Sequence, residues 1–335
     1  MIYSLNNIGE NSHEETEPMI RRTSTIALLT SIAVAIASFF AFGSPTPATA
    51  TPTSAIYWAN YNDSSMGTAG LDGTNVNQTF ISSGVFNSRE VAVNANHLYW
   101  VNEDGSIGRS DLDGTNVNLT FITTGGSSVT GVAVDANYIY WTDRTANTMS
   151  RANLDGTGAD PNFISGMNQP YGIALNANHI YWTNSDDGTV GRANLDGTNA
   201  VQNLVSGGND IYGIALSSTH IFWANYSGGT IGRANLDGTG DDQNFITDHG
   251  KPCGVATDAT HVYWASDGAN TIGVADLDGT NVNLDLVTGA NSPAGIAVYP
   301  PAPTSPTTTT TTTTVAPTTS TTTANGDPIA PAFTG

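Results

Sequence analysis

Four histidines, His97, His179, His220 and His261, each stand three residues before a tryptophan. Imidazoles placed so regularly raise the question of a metal site. The acidic runs Asp111-Leu112-Asp113-Gly114-Thr115-Asn116 and Asp276-Leu277-Asp278-Gly279 resemble fragments of a calcium loop. Asp135 and Asp258 follow short apolar strands, a place where a metal-dependent hydrolase or lyase holds its ligands. None of these sets is complete. The acidic runs lack the further ligand spacing and terminal glutamate of an EF-hand, and the positions equivalent to Asp135 hold Asn94, Asn176, Ser217 and Tyr299. HExxH, GxSxG, CxxC, P-loop and GxGxxG patterns are missing. The sequence thus predicts no metal, no cofactor and no catalytic residue, and a protein that is not an enzyme.

The elements that carry these residues form a repeat. Trp58, Trp100, Trp141, Trp182, Trp223 and Trp264 are spaced by 42, 41, 41, 41 and 41 residues, and Leu71, Leu112, Leu154, Leu195, Leu236 and Leu277 keep step. Such a period marks a repeat architecture. Each period reads as four short strands separated by turn residues: a GIA-type strand, a Tyr-Trp strand, a TVGRANL-type strand and a short Phe-Ile-type strand. Sustained helical spacing is missing after residue 50. Six small antiparallel sheets bury their faces by packing radially, so an all-β, six-bladed β-propeller is expected over residues 51–299. The repeat region begins on a Tyr-Trp strand, Ile56-Tyr57-Trp58, and finishes on a GIA strand, Gly295-Ile296-Ala297-Val298. The C-terminal strand therefore completes the first blade and leaves no open edge.

The tetrads YWAN (57–60), YWVN (99–102), YWTD (140–143), YWTN (181–184), FWAN (222–225) and YWAS (263–266), with GIA strands before them and LDGT turns after them, resemble the class B, or YWTD, repeats of the low-density-lipoprotein-receptor family. The resemblance covers residues 55–299 and implies a six-bladed propeller in an extracellular, non-enzymatic binding role. One tetrad keeps the aspartate unaltered. Asn60, Asn102, Asn184, Asn225 and Ser266 replace it elsewhere.

Most repeated residues read as framework. The six tryptophans are expected to fill the space between blades, and LDGT to turn the hairpin between the third and fourth strands. The histidines fall in turns on separate blades. Arg109, Arg151, Arg192 and Arg233 share one repeat position and read as donors between blades. Positions that differ between blades are the ones able to build an asymmetric ligand surface. Just before the GIA strands stand Arg89, Thr130, Tyr171, Tyr212, Cys253 and Ala294; acidic pairs Glu103-Asp104 and Asp186-Asp187 share that face. Arg89, Thr130, Tyr171, Tyr212, Asp186, Asp187, Glu103 and Asp104 are accordingly the expected contacts for a protein or glycan partner. The alternative is an extracellular hydrolase or lyase with its site at the mouth of the central channel, since the propeller fold excludes no chemistry.

The chain has 29 acidic against 9 basic residues, a formal charge of −20 that opposes binding to nucleic acid or anionic lipid. Cys253 is its single cysteine, so no disulfide forms within the chain. Arg21-Arg22, the apolar run 26–42 and Ala48-Thr49-Ala50 follow the order of a secretory signal peptide cleaved after Ala50, with Met19 a plausible start. Removal of residues 1–50 takes four glutamates and two arginines and leaves a charge of about −18. Uncleaved, the same run would anchor the chain in a membrane. Residues 300–335 are rich in proline and threonine, the composition of a solvated stalk. Together these features predict a monomeric, secreted or envelope-associated bacterial protein.

Overall fold

A computed structural model describes residues 54–300, apart from Ser83, Ser127 and His249. The expected signal segment and the Pro/Thr stalk lie outside the described residues. Within them the chain forms six four-stranded antiparallel sheets and no helix. Blade four is typical: inner strand Pro170–Leu175, second strand His179–Asn184, third strand Thr189–Asn194 and outer strand Val201–Val205. In the first blade the inner strand is Pro293–Tyr299, paired antiparallel with Ala55–Asn60 through Tyr57 and Ala297, so the ring closes as expected.

The tryptophans show why the repeat is so regular. Trp58, Trp100, Trp182, Trp223 and Trp264 are fully buried, and each sits among residues of two adjacent blades. Trp58, for example, joins Ile56 and Ile296 of its own blade to Tyr263 and Ile272 of the sixth. A glycine on the third strand stands opposite each of these five indoles, as in Trp182 with Gly191. A Cβ at Gly191 would lie 2.2 Å from Trp182 Cε2, so the absence of a side chain makes the slot for the ring.

The tetrad asparagine ties the strand end to its surroundings from both sides. Asn184 Nδ2 donates to Thr189 Oγ1 at 3.0 Å and to the Gln202 carbonyl at 3.0 Å, while its Oδ1 accepts from Asn168 N at 3.1 Å. An amide donates and accepts at once; a carboxylate only accepts. Asp143 accordingly makes a different set and receives Thr145 N and Ala146 N, both at 2.9 Å. In blade six, Ser266 and buried Asp248 share the task, and Trp264 Nε1 donates to Asp248 at 2.8 Å.

The LDGT segments are turns. Asp196 Oδ1 accepts from Thr198 N at 2.9 Å and from Thr198 Oγ1 at 2.6 Å, and Gly197 takes φ +83°. These bonds hold the exposed turn carboxyls below the usual carboxylate range. His179 packs edge-on against Tyr181 in its own blade, and burial followed by Arg192 lowers its pKa. Among the described residues no three His, Cys, Asp or Glu side chains converge on one point.

Candidate active site at the axis

The inner strands run side by side around the axis, and at one level they nearly touch. Gly131, Gly172, Gly213, Gly254 and Gly295 occupy equivalent places there. A Cβ at Gly172 would lie 2.7 Å from the Tyr212 carbonyl, and one at Gly213 would lie 2.7 Å from Gly254 Cα. Five of the six positions therefore admit only glycine. The sixth is Glu90, whose Cα is 2.4 Å from where a Gly295 Cβ would stand. Its blade makes room: the inner strand there is cut to Val91–Val93, whereas the other five run six or seven residues.

Glu90 is 7% exposed. Burial pushes its carboxyl up to about 8, against the opposing pull of the Val91 and Ile296 backbone N–H groups. Its charge acts on Tyr171 and on Cys253, which come from the fourth and sixth blades. The Tyr171 hydroxyl in turn raises the pKa of Arg89 and works against the rise at the Cys253 thiol. Burial drives both Tyr171 and Cys253 well above their ordinary values. Three buried ionisable side chains from three blades, Glu90, Tyr171 and Cys253, thus meet in the neck of the channel, a dry setting in which each proton is held tightly, with Arg89 beside them.

Over this neck lies an aromatic mouth. Tyr212 stacks on Tyr171 at 4.3 Å between centroids and on Tyr226 at 4.7 Å, and Lys251 Nζ lies 5.5 Å from the Tyr226 ring centre. Tyr226 donates to Asp267 at 2.9 Å and Tyr212 to Asp210 at 3.4 Å. Arg89 lies over the Tyr61 ring and 3.5 Å from Glu103 Oε1. Burial works against the Arg89 charge, but Tyr171, Tyr61 and Glu103 outweigh it and raise its pKa.

The expected contact residues divide. Arg89 and Tyr212 are half-buried at the mouth, while Glu103, Asp104, Asp186 and Asp187 are exposed on the same face. Thr130 and Tyr171 are corrected. Thr130 is 1% exposed and spends its hydroxyl on the Pro170 carbonyl at 2.9 Å, and Tyr171 is 4% exposed beneath Tyr212. Both are covered because the inner strands converge at their level. Glu90 was missed by sequence reasoning. Its signal was the lost glycine: aligned with the other GIA strands, Glu90-Val91-Ala92-Val93 is the copy with an acid at the glycine place.

Asp135 and Asp258 lie at the other end of the inner strands and serve their own turns. Asp135 Oδ1 accepts Asn137 N and Tyr138 N at 2.7 Å, and Oδ2 accepts the Tyr140 hydroxyl at 3.0 Å. Asp258 receives Thr260 N, His261 N and the Tyr263 hydroxyl in the same way.

The profile of the Virginiamycin B lyase family matches residues 44–304. No curated protein matches the chain. Among solved structures, a chain of the nidogen–laminin complex is 20% identical, with a TM-score of 0.64, covering 73% of this chain and 98% of that one. A streptogramin B lyase is 17% identical with a TM-score of 0.54, covering 72% and 82%. A catalytically inactive variant of virginiamycin B lyase from Staphylococcus aureus, with quinupristin, is 16% identical with a TM-score of 0.51, covering 72% and 84%. At these identities the structures share a fold with this chain, and the nidogen match agrees at that level with the YWTD resemblance. The family match overturns the expectation that the protein is not an enzyme, because the matching profile is that of a lyase family and spans the whole propeller.

Proposed function

This chain belongs to the virginiamycin B lyase family, and from that premise we propose that it is a lyase whose acid–base group is Glu90. The observation that carries the reading is a carboxylic acid in the sixth place of a ring otherwise made of glycine, in the neck of the channel beneath its aromatic mouth. An elimination needs a base to take a proton from a carbon beside a carbonyl. The C–H electron pair becomes the new double bond, and the leaving atom departs with the electrons of its own bond and accepts a proton. A carboxyl with a pKa of about 8 serves both steps near neutral pH: ionised it takes the carbon proton, and protonated it returns it to the leaving atom. Arg89 supplies a fixed positive charge beside the neck for the oxyanion that develops on the carbonyl. Tyr212 and Tyr226 provide the wall against which an apolar part of the substrate packs.

Virginiamycin B and quinupristin, named with the relatives, are the first probes. Elimination within a ring leaves the mass of the product unchanged, whereas hydrolysis adds one water, so mass spectrometry separates the two reactions. Glu90→Gln is expected to lower turnover by about 100-fold or more without loss of the fold. Full turnover by that variant would refute the assignment, and a product heavier by one water would make the protein a hydrolase.

Export through residues 19–50 and presentation on the Pro/Thr segment 300–335 are part of the same proposal, supported by the sequence pattern. Arg89, Tyr212, Glu103, Asp104, Asp186 and Asp187 would then face a protein or glycan carrying the reacting group. Fractionation of the native cells tests the location: recovery in the cytoplasm would rule it out.

A further inference from the structure

The opposite end of the axis carries a second opening. Past the glycine neck the same six strands bear alanine at equivalent places, Ala92, Ala133, Ala174, Ala215, Ala256 and Ala297, and these line a cavity of about 490 Å³. The cavity reaches the turns between first and second strands, on the face away from Arg89 and Tyr212. Its volume falls within the roughly 300–1,000 Å³ of small-molecule sites, and its wall is aliphatic, with Leu175 and Leu216 beside the alanines. The methyl side chains are what leave the space: a larger residue at this repeat position would fill it.

The charge at the rim decides what the cavity accepts. Asp135 is the one charged side chain among its lining residues, and neither lysine nor arginine lines it. Arg151, the basic group of the same blade, stacks over Tyr138 and Phe163, on the third strand rather than at the axis. Asp258 holds the equivalent place on the sixth blade, three blades from Asp135 and so across the ring. Asp135 receives three hydrogen bonds, and a carboxylate has about four acceptor sites, so Oδ2 keeps capacity for a donor. The chain's net charge of −20 adds a general bias toward a cation over an anion.

We propose that this cavity is a binding site for a small aliphatic ammonium ion, its hydrocarbon part in the alanine-lined funnel and its charged head at Asp135. The site is separate from the neck around Glu90 and does not depend on the lyase reading.

Three ligands of one length separate the contributions: hexylammonium, hexanol and hexanoate, each titrated calorimetrically into the intact protein. Hexylammonium is expected to bind about tenfold more tightly than hexanol, the effect of one partly screened charge pair, and hexanoate is expected not to bind. Asp135→Asn should bring hexylammonium down to the affinity of hexanol. That variant keeps the turn, because Asn94 and Asn176 accept the same two backbone N–H groups in their own blades. Ala177→Phe, at an exposed lining position, should block hexylammonium and hexanol alike with an unchanged melting temperature. Equal binding of hexanoate, undiminished hexylammonium binding in either variant, or no binding of hexylammonium to the wild-type protein would overturn the proposal.

Discussion

Glu90 should make the stability of the propeller fall as pH rises through the range in which most proteins are steady. In the unfolded chain its carboxyl ionises near 4.5, and in the folded one near 8. Below pH 4.5 both states hold the proton. Between 4.5 and 8 the unfolded state has released it while the folded state keeps it, so each pH unit costs the fold about 1.4 kcal/mol. Above 8 both are ionised and the loss levels off, at no more than about 5 kcal/mol in all. Against a total stability of about 5–15 kcal/mol, that loss is visible. Glu90→Gln is the matching perturbation: it has the shape of the protonated acid, still accepts from Val91 N and does not titrate. Urea unfolding of both proteins at pH 5, 7 and 9 measures the difference. The two are expected to lie close together at pH 5, with the wild type dropping away by pH 9. Curves that run parallel from pH 5 to 9 would refute the reasoning, since they would mean that Glu90 ionises at its ordinary value and is not desolvated in the neck.

Other outcomes follow from the same geometry. If Glu90 is the base, kcat/KM should rise with pH and level off above about 8, and a profile flat from pH 6 to 9 would exclude it. Trp182→Ala should cost about 3–5 kcal/mol and lower the melting temperature sharply, because the indole fills the gap between blades three and four. Gly191→Ala should destabilise by about 1–3 kcal/mol through collision with that same indole, and an unchanged melt would argue against the slot. Tyr171→Ala should lower stability much more than Tyr212→Ala, as one ring is buried under the other; equal melts would contradict that order.

The sequence by itself determined the architecture. A period of 41 residues, four strand signals within it and ends out of phase by one strand are enough for six closed blades, because local patterns of burial and turn chemistry repeat wherever each unit packs on its neighbour in the same way. The lyase family was not legible from those patterns: they describe packing, and every copy packs alike. What only the tertiary structure decided is which odd residues meet. Glu90, Tyr171 and Cys253 lie about two periods apart along the chain and belong to different blades, and ring closure alone brings them to the axis. Tyr171 looked like a surface contact because it varies between blades. It is buried because the inner strands pinch together at its level, leaving Tyr212 as the ring that faces outward. Asp135 and Asp258, which stood where a hydrolase or lyase would hold its ligands, are held by their own turns. The acid in the neck is Glu90, placed there by the backbone approach that demands glycine from the other five blades.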